Sequence, residues 1–385
     1  MKKILLATME FPPQLGGIAT YTANMARALA SHNVVVYAPQ EAGASEFDQH
    51  EEYTIVRKKQ LYRAVWPRWI RAVFQMRAIV KKEQIEMIIV HHVLPLGYAA
   101  WIIKKILKVP YLVISHGTDV VYGTQTSWKK RWLRKIIRDS EQVVFNSESL
   151  RRRFLERLPE FENRSMVMYP CPDALFSRTP VREEIDTLRR TLALEGKKVV
   201  LSVGRLDDGK GFPHLIRAFS DILKKETHAV WVVIGDGPKR EMIVSEIQKR
   251  QLQNVVRYIG GVSHEKLPQY YYLADLFVLL THPDDGREEG LGLVFLEAAA
   301  AGKAIVAGKS GGVEEAVIDG ETGQVLDVYH EAQKITDTIV ALLGNHDERD
   351  RMGRAGRQRI LEIFQWEIQL KKLEPWIGPI DHIVS

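Results

Sequence analysis

Two glutamates eight residues apart, Glu289 and Glu297, bracket the start of an apolar, helix-forming run. Gly290, Leu291, Gly292 and Leu293 lie between them. Carboxylates accept hydrogen bonds from vicinal hydroxyls, the chemistry of sugar and ribose recognition. The plain alternative is that Glu289 is an acid at a helix N-terminus and Glu297 lies on a solvated face. A second set is cationic. Arg205 and Lys210 flank a glycine-bearing loop, Gly204 to Gly211, after an apolar run. An arginine fork and a lysine point charge suit a diphosphate, although isolated they would pass as surface charges. A third set is Gly16-Gly17 at the entrance of a helical pattern, where bare backbone can approach a phosphate closely. A tight turn would use the same pair. The dinucleotide fingerprint is incomplete, because its third glycine is missing.

The elements that position these residues are strands followed by helices. Apolar runs at 276–280 and 199–203 read as buried strands, each followed by a loop and a helix start. In open α/β sheets ligands sit beyond the carboxyl ends of such strands. The free N–H groups of the helix at 293–301 favour an anionic or hydroxyl-rich ligand. Further strands are read at 3–8, 34–38, 53–56, 87–92, 111–115, 143–145, 165–169, 229–234, 255–259 and 303–306. His116 follows the strand at 111–115 within His-Gly-Thr-Asp, which puts it at the edge of a site. His91 and His92 end another strand without a supporting motif, and no role is assigned to them. With Asp119 these histidines lack the usual ligand spacing, and no Asp-x-Asp occurs, so no metal is expected.

The chain has 385 residues, enough for two or three domains, and 45% hydrophobic content is enough for well-formed cores. Its one cysteine, Cys171, cannot form an internal disulfide and fits a reducing compartment. The apolar stretch after Met1-Lys2-Lys3 is interrupted by Glu10 and Pro12-Pro13, so it reads as a first strand, not a signal peptide. Charge is uneven. Residues 1–175 hold 26 Lys+Arg against 16 Asp+Glu, and the remainder 28 against 32. Segments 61–82 and 127–135 interleave tryptophan with Lys and Arg (Trp66, Trp69, Trp128, Trp132), and Arg151-Arg152-Arg153 adds a third cluster. Such a pattern fits an anionic membrane surface, or an ordinary amphipathic helix with a solvated face. No nucleic-acid module accompanies it, so no nucleic-acid partner is expected.

Five motifs in order, Phe11-Pro12-Pro13 with Gly16-Gly17-Ile18, His116-Gly117-Thr118-Asp119, Gly204-Arg205-Leu206 with Lys210-Gly211-Phe212, Glu289-x₇-Glu297, and Ser310-Gly311-Gly312 with Asp319-Gly320-Glu321-Thr322-Gly323, resemble the retaining glycosyltransferases of family four. The stretch 289–298 with 307–312 is most similar to bacterial GDP-mannose-dependent α-mannosyltransferases of the phosphatidylinositol-mannoside type. The resemblance implies an α/β protein of the GT-B fold, two Rossmann-like domains facing across a cleft, with a C-terminal helix crossing back to the first. The implied domains are an acceptor-side domain at 1–175, a nucleotide-sugar domain at 176–365, and a returning segment at 366–385. It implies retaining, metal-independent transfer of a hexose, with no cofactor. The donor is a nucleotide sugar, GDP-mannose favoured and a UDP-sugar as alternative, and the acceptor a lipid or glycan. The place would be cytoplasmic, peripheral on the inner face of the plasma membrane. As carried by the resemblance, His116, Arg205, Lys210 and Glu289 are catalytic. Gly16, Gly17, Gly204, Val262, Gly290, Leu291, Gly292, Leu293 and Glu297 bind the donor, with Glu297 on the ribose and Val262 near the base. The chain departs from the family at Cys171-Pro172-Asp173, where Asn-Gly-Val-Asp is usual. A nucleotide-sugar 2-epimerase and a non-catalytic sugar-nucleotide-binding subunit share the architecture and stay open.

Overall fold

The computed structural model describes residues 2–14, 16–30, 33–62 and 65–380. Leu15 of the glycine loop, positions 63 and 64 of the basic segment, and the last five residues of the expected returning segment lie outside them. The chain divides into two compact units, one of Met1–Cys171 with Gln365–Ser385 and the other of Pro172–Phe364.

The first unit is built on a seven-stranded parallel sheet: β1 (Ile4–Ala7), β2 (Val34–Pro39), β3 (Thr54–Lys58), β4 (Met87–His91), β5 (Tyr111–Ser115), β6 (Val143–Phe145) and β7 (Ser165–Val167). Their order is β3-β2-β1-β4-β5-β6-β7. Strands covered on both faces read as unbroken apolar runs, and Ile4, Leu5, Leu6 and Ala7 are all fully buried. Ile4 pairs with Val34 on one side and Met87 on the other. Alternate residues then face opposite layers. Leu5 and Ala7 join Met76, Ile103 and Ile136, whereas Ile4 and Leu6 join Tyr21, Met25 and the C-terminal residues Leu370, Leu373 and Ile377. Burying each of those last three contributes about 1.5–3 kcal/mol. Polar bonds fix the same segment: Lys2 Nζ donates to Trp376 O at 2.6 Å, and Tyr169 N to Gln369 Oε1 at 2.9 Å.

The second unit carries six parallel strands: β8 (Lys198–Val203), β9 (Ala229–Ile234), β10 (Val256–Gly260), β11 (Leu276–Leu279), β12 (Ile305–Gly308) and β13 (Gly323–Leu326). Their order is β10-β9-β8-β11-β12-β13. The helix Phe212–Lys225 shows why the pattern folds this way. Phe212, Leu215, Ile216, Phe219 and Ile222 recur at helical spacing and are buried, while Lys224 and Lys225 sit in the last turn, where cations complement the dipole.

Each sheet reverses its order once, between β1 and β4 in the first unit and between β8 and β11 in the second. Loops leaving such neighbouring strands run to opposite faces, and the crevice between them is where open α/β sheets hold ligands. The glycine loop and His91 follow β1 and end β4, respectively. The cationic loop follows β8, and the glutamate stretch follows β11.

Two of the plain alternatives are decided here. Within 61–82 a helix runs over Ile70–Lys82, and Pro67 lies before it. Glu297 does not lie on a solvated face; it is 4% exposed.

Candidate active site

In the second unit, β8 delivers Gly204, Arg205 and Lys210 to the same switch point at which β11 delivers Glu289 to Leu293. The loop after β8 is braced by Leu206 N donating to Asp236 O at 3.0 Å and His282 N donating to Gly209 O at 2.9 Å. Gly211 closes it at φ +74°, where a Cβ would stand 1.8 Å from Leu280 O, so only glycine fits. Lys210 Nζ then donates to Glu289 Oε2 in a direct ion pair. Two readings that began as separate, a phosphate cation and a sugar carboxylate, meet in one contact. The backbone of Glu289 is held independently: its N–H donates to Ser310 Oγ at 3.1 Å, and its carbonyl accepts from Gly312 N at 3.0 Å. This gives Ser310-Gly311-Gly312 a structural task. Thr322 and Asp319 likewise tie their own turn, accepting from Ile318 N and Val325 N.

Arg205 is 67% exposed, with Nε 3.5 Å from Asp207 Oδ2. Leu291 is buried, and Gly292 (φ +87°) opens the helix Leu293–Ala300, whose first turn has no side-chain cap. In that turn Phe295 N donates to Gly292 O at 3.0 Å; an uncapped helix N-terminus is where anions bind. One turn on, Glu297 Oε2 accepts from Tyr271 Oη at 2.7 Å. Burial pushes the Glu297 carboxyl up, opposed by His264 and the Tyr271 hydrogen bond. Asp173, the residue left at the point of departure from the family pattern, has Oδ2 3.4 Å from His264 Nε2. Val262 follows β10, the edge strand, two strands from the switch point.

In the first unit, Gly16 precedes and Gly17 begins the helix Gly17–Ala28. Among the described residues, and leaving out chain neighbours, no atom lies within 4 Å of a Cβ built on Gly17, and one on Gly16 would meet Glu10 Oε2 at 3.8 Å. Packing therefore does not require glycine at either position. His116 follows β5, and its ring lies 5.2 Å from that of His91 and 5.0 Å from that of His92. His116 Nε2 is 3.0 Å from His91 Nδ1, and its Nδ1 is 2.9 Å from Asn146 Nδ2. Tyr21 meets the His116 ring edge-on at 5.6 Å and stacks on Trp366 at 5.6 Å. Burial, and then the neighbouring histidines, hold His116 well below the usual imidazole range; burial and His92 bring His91 down to about 3. Both rings are neutral at pH 7. Asp119 serves the fold, accepting from Val93 N, Ser115 Oγ and Val120 N and so tying β4 to β5.

Sequence reasoning assigned no role of its own to His91, Asn146, Tyr271 or Ser310. The signals were that Ser310 stands in a quoted motif and that His91 and Asn146 stand at carboxyl ends of strands, as His116 does.

The basic aromatic face is narrower than its sequence suggests. Trp66 and Trp128 are 80% and 52% exposed. Trp69 and Trp132 pack against the core, Trp69 stacking on Tyr98 at 4.5 Å. Lys129 Nζ lies 3.4 Å over the Tyr122 ring, and Arg134 pairs with Glu160 at 2.7 Å. Among the described residues no helix is long and apolar enough to cross a membrane, and no group of three or more His, Cys, Asp or Glu side chains is arranged to hold a metal.

Comparison with known proteins identifies the family. The family model described as Glycosyltransferase Family 4 matches residues 15–173, and that described as Glycosyl transferases group 1 matches residues 184–359. A GDP-mannose-dependent alpha-(1-6)-phosphatidylinositol monomannoside mannosyltransferase of Mycobacterium tuberculosis is 30% identical, covering 98% of each chain. A monoacylated-acceptor counterpart of Corynebacterium glutamicum is 26% identical, covering 97% of each chain. The solved structure of Anabaena HepE in complex with UDP and glucose superposes with a TM-score of 0.82 at 18% identity, covering 97% of this chain and 99% of that one. With two parallel-sheet Rossmann-like units and full-length relatives of this kind, the chain belongs to glycosyltransferase family four, has the GT-B fold and is a hexosyltransferase.

Proposed function

We propose that the protein transfers mannose from GDP-mannose, with retention and without a metal, to a lipid-linked or glycan acceptor at an anionic membrane surface. The observation that carries this is the Lys210–Glu289 pair at the β8/β11 switch point, beside a helix N-terminus with no side-chain cap. It couples a phosphate-binding cation to a hydroxyl-binding carboxylate. The donor and the acceptor class are read from the names of the mycobacterial and corynebacterial relatives.

Transfer from a nucleotide sugar passes through an oxocarbenium-like state while negative charge grows on the departing diphosphate. Arg205, Lys210 and the amides of Gly16 and Gly17 stabilise that charge. The helix N-terminus at Gly290, Leu291, Gly292 and Leu293 adds its dipole. Glu289 orients the sugar hydroxyls, Glu297 the ribose, and Val262 lies by the base. Gly204 lets the β8 loop approach the phosphates, and His116 lines the transferred sugar. Trp66, Trp128 and the neighbouring cations hold the first unit at anionic headgroups, as a peripheral protein of the cytoplasmic membrane face.

The test is a thermal-shift panel with GDP, UDP, GDP-mannose and UDP-glucose, followed by transfer of labelled mannose to mannosylated phosphatidylinositol in anionic vesicles. Selective stabilisation by GDP compounds, with transfer to lipid, is the expected result. Selective stabilisation by UDP compounds would discard mannose and leave a UDP-sugar transferase. Nucleotide release without acceptor, or binding without turnover, would favour an epimerase or a binding subunit.

A further inference from the structure

Three polar side chains from three strand ends form a hydrogen-bonded chain inside the first unit. Asn146 Nδ2 lies 2.9 Å from His116 Nδ1, and Asn146 Oδ1 is buried with no partner among the described residues, so the amide can offer that ring nitrogen either its N–H or its oxygen. His116 Nε2 lies 3.0 Å from His91 Nδ1, so one of these nitrogens carries the shared proton and the other accepts it. His91 Nε2 is buried with no partner among the described residues. Thr22 Oγ1 stands 3.2 Å from His91 Nδ1 while donating to Ile18 O at 2.8 Å, which backs the His91 ring with the first helix. Neither histidine nitrogen that would exchange a proton with a substrate is left open on His116.

We propose that His91 and Asn146 are positioning residues for His116: contacts at both ring nitrogens hold it in a single tautomer, as a neutral imidazole of set orientation that does not carry the acceptor's proton. The inference rests on the reading that His116 lines the reaction centre. Which ring nitrogen is protonated follows from the bond the other makes. The titratable groups facing His116 are His91, His92 and Tyr21, and Glu10 Oε1 stands 3.9 Å from His92 Nε2. His116 and His91 are both shifted away from charging, in keeping with a relay that stays neutral.

The experiment uses the full chain with ¹⁵N-labelled histidine rings. The expected spectra show His91 and His116 as neutral rings, each in a single tautomer, that do not titrate between about pH 5.5 and 8. Titration of His116 in that window, or a mixture of its two tautomers, would overturn the proposal. In kinetics, His91→Phe keeps the ring bulk and removes the nitrogen that meets His116. A misplaced reacting geometry can cost about 100-fold in kcat, and that loss is expected with the donor KM changed by less than about twofold. His91→Gln restores a hydrogen-bonding group there and recovers about tenfold of it. A folded His91→Phe variant with unchanged kcat would refute positioning. If His91→Phe does not melt cooperatively, Asn146→Leu serves instead, and its spectrum should show the His116 proton no longer confined to one ring nitrogen; an unchanged spectrum refutes the positioning. Wild-type protein with the expected tautomers but no transfer would strike the transferase reading and leave the relay standing.

Discussion

Glu289→Gln is expected to tighten binding of the product nucleoside diphosphate while nearly abolishing transfer. Without ligand, the Glu289 carboxylate occupies Lys210, the cation that the diphosphate needs. The lysine and glutamate side chains are 28% and 17% exposed. Fully exposed ion pairs contribute about 0.2–1 kcal/mol, and breaking a fully buried one costs about 3–5 kcal/mol. A pair at this depth lies between, at about 1.5 kcal/mol, or roughly tenfold in a binding constant. Glutamine keeps the shape and can still accept from Lys210 Nζ, but it no longer competes for the charge. The loop should not move, because Ser310 Oγ and Gly312 N hold the Glu289 backbone without its side chain. Titration calorimetry with GDP should therefore show about tenfold tighter binding, the gain shrinking between roughly 0.05 and 0.5 M salt as screening rises. Lys210→Ala should show the opposite change. Unchanged or weaker GDP binding in a Glu289→Gln protein that melts like wild type would refute competition for Lys210.

Gly17→Ala should leave the melting temperature within about 1 °C, since nothing crowds the added methyl, yet lower turnover if the loop approaches the donor. Gly211→Ala, which drives a methyl into Leu280 O, should lower stability by more than about 2 kcal/mol in urea melts. Equal melts for the two variants would refute that contrast. Glu297→Gln should melt higher than wild type at pH 7. Burial raises the Glu297 pKa, so its charged form burdens the folded state, and that stability is present below the ordinary carboxylate range and lost as pH rises through the raised value. Each kcal/mol should appear as about 2–4 °C, together with weaker nucleotide binding if Glu297 holds the ribose. Stability should also fall on acidification because His91, held at about 3 by burial and then by His92, is neutral when folded and charges when unfolded. Its contribution is full above about pH 6.5 and is lost towards pH 3, with a slope of about 1.4 kcal/mol per unit. His91→Phe should flatten that loss in urea melts at pH 7.5 and 5; an identical pH dependence would remove His91 from the cause.

Most strands were legible because a parallel strand buried on both faces is written as one apolar run, as in residues 229–234, which form β9 without a shift at either end. Gly323-Gln324-Val325-Leu326 has too short an apolar signal, and β13 went unread. The helix Arg182–Thr191 went unread for the complementary reason: it buries none of its residues. Chemistry was legible where residue type and loop context coincide, as with Lys210 after glycine-bearing turns or Glu289 before a helix. What the sequence does not write is which of these residues meet. Lys210 and Glu289 are separated by 79 positions, and His91 and His116 by 25.

Their meeting follows from strand order. β8 neighbours β11, and β4 neighbours both β1 and β5, so residues at the carboxyl ends of those strands converge whatever their distance in the chain. Periodicity encodes which face of a strand is buried and is silent on its neighbour. The same reasoning explains why His91 looked inert. A histidine ending an apolar strand is most simply a core residue, and His91 is fully buried. Only the adjacency of β5, which carries His116, and of β6, which carries Asn146, turns that buried ring into the end of a hydrogen-bonded chain. A strand exchange that kept every apolar run intact would preserve the fold's core and dissolve both constellations, so the site's specificity resides in topology as much as in residue type.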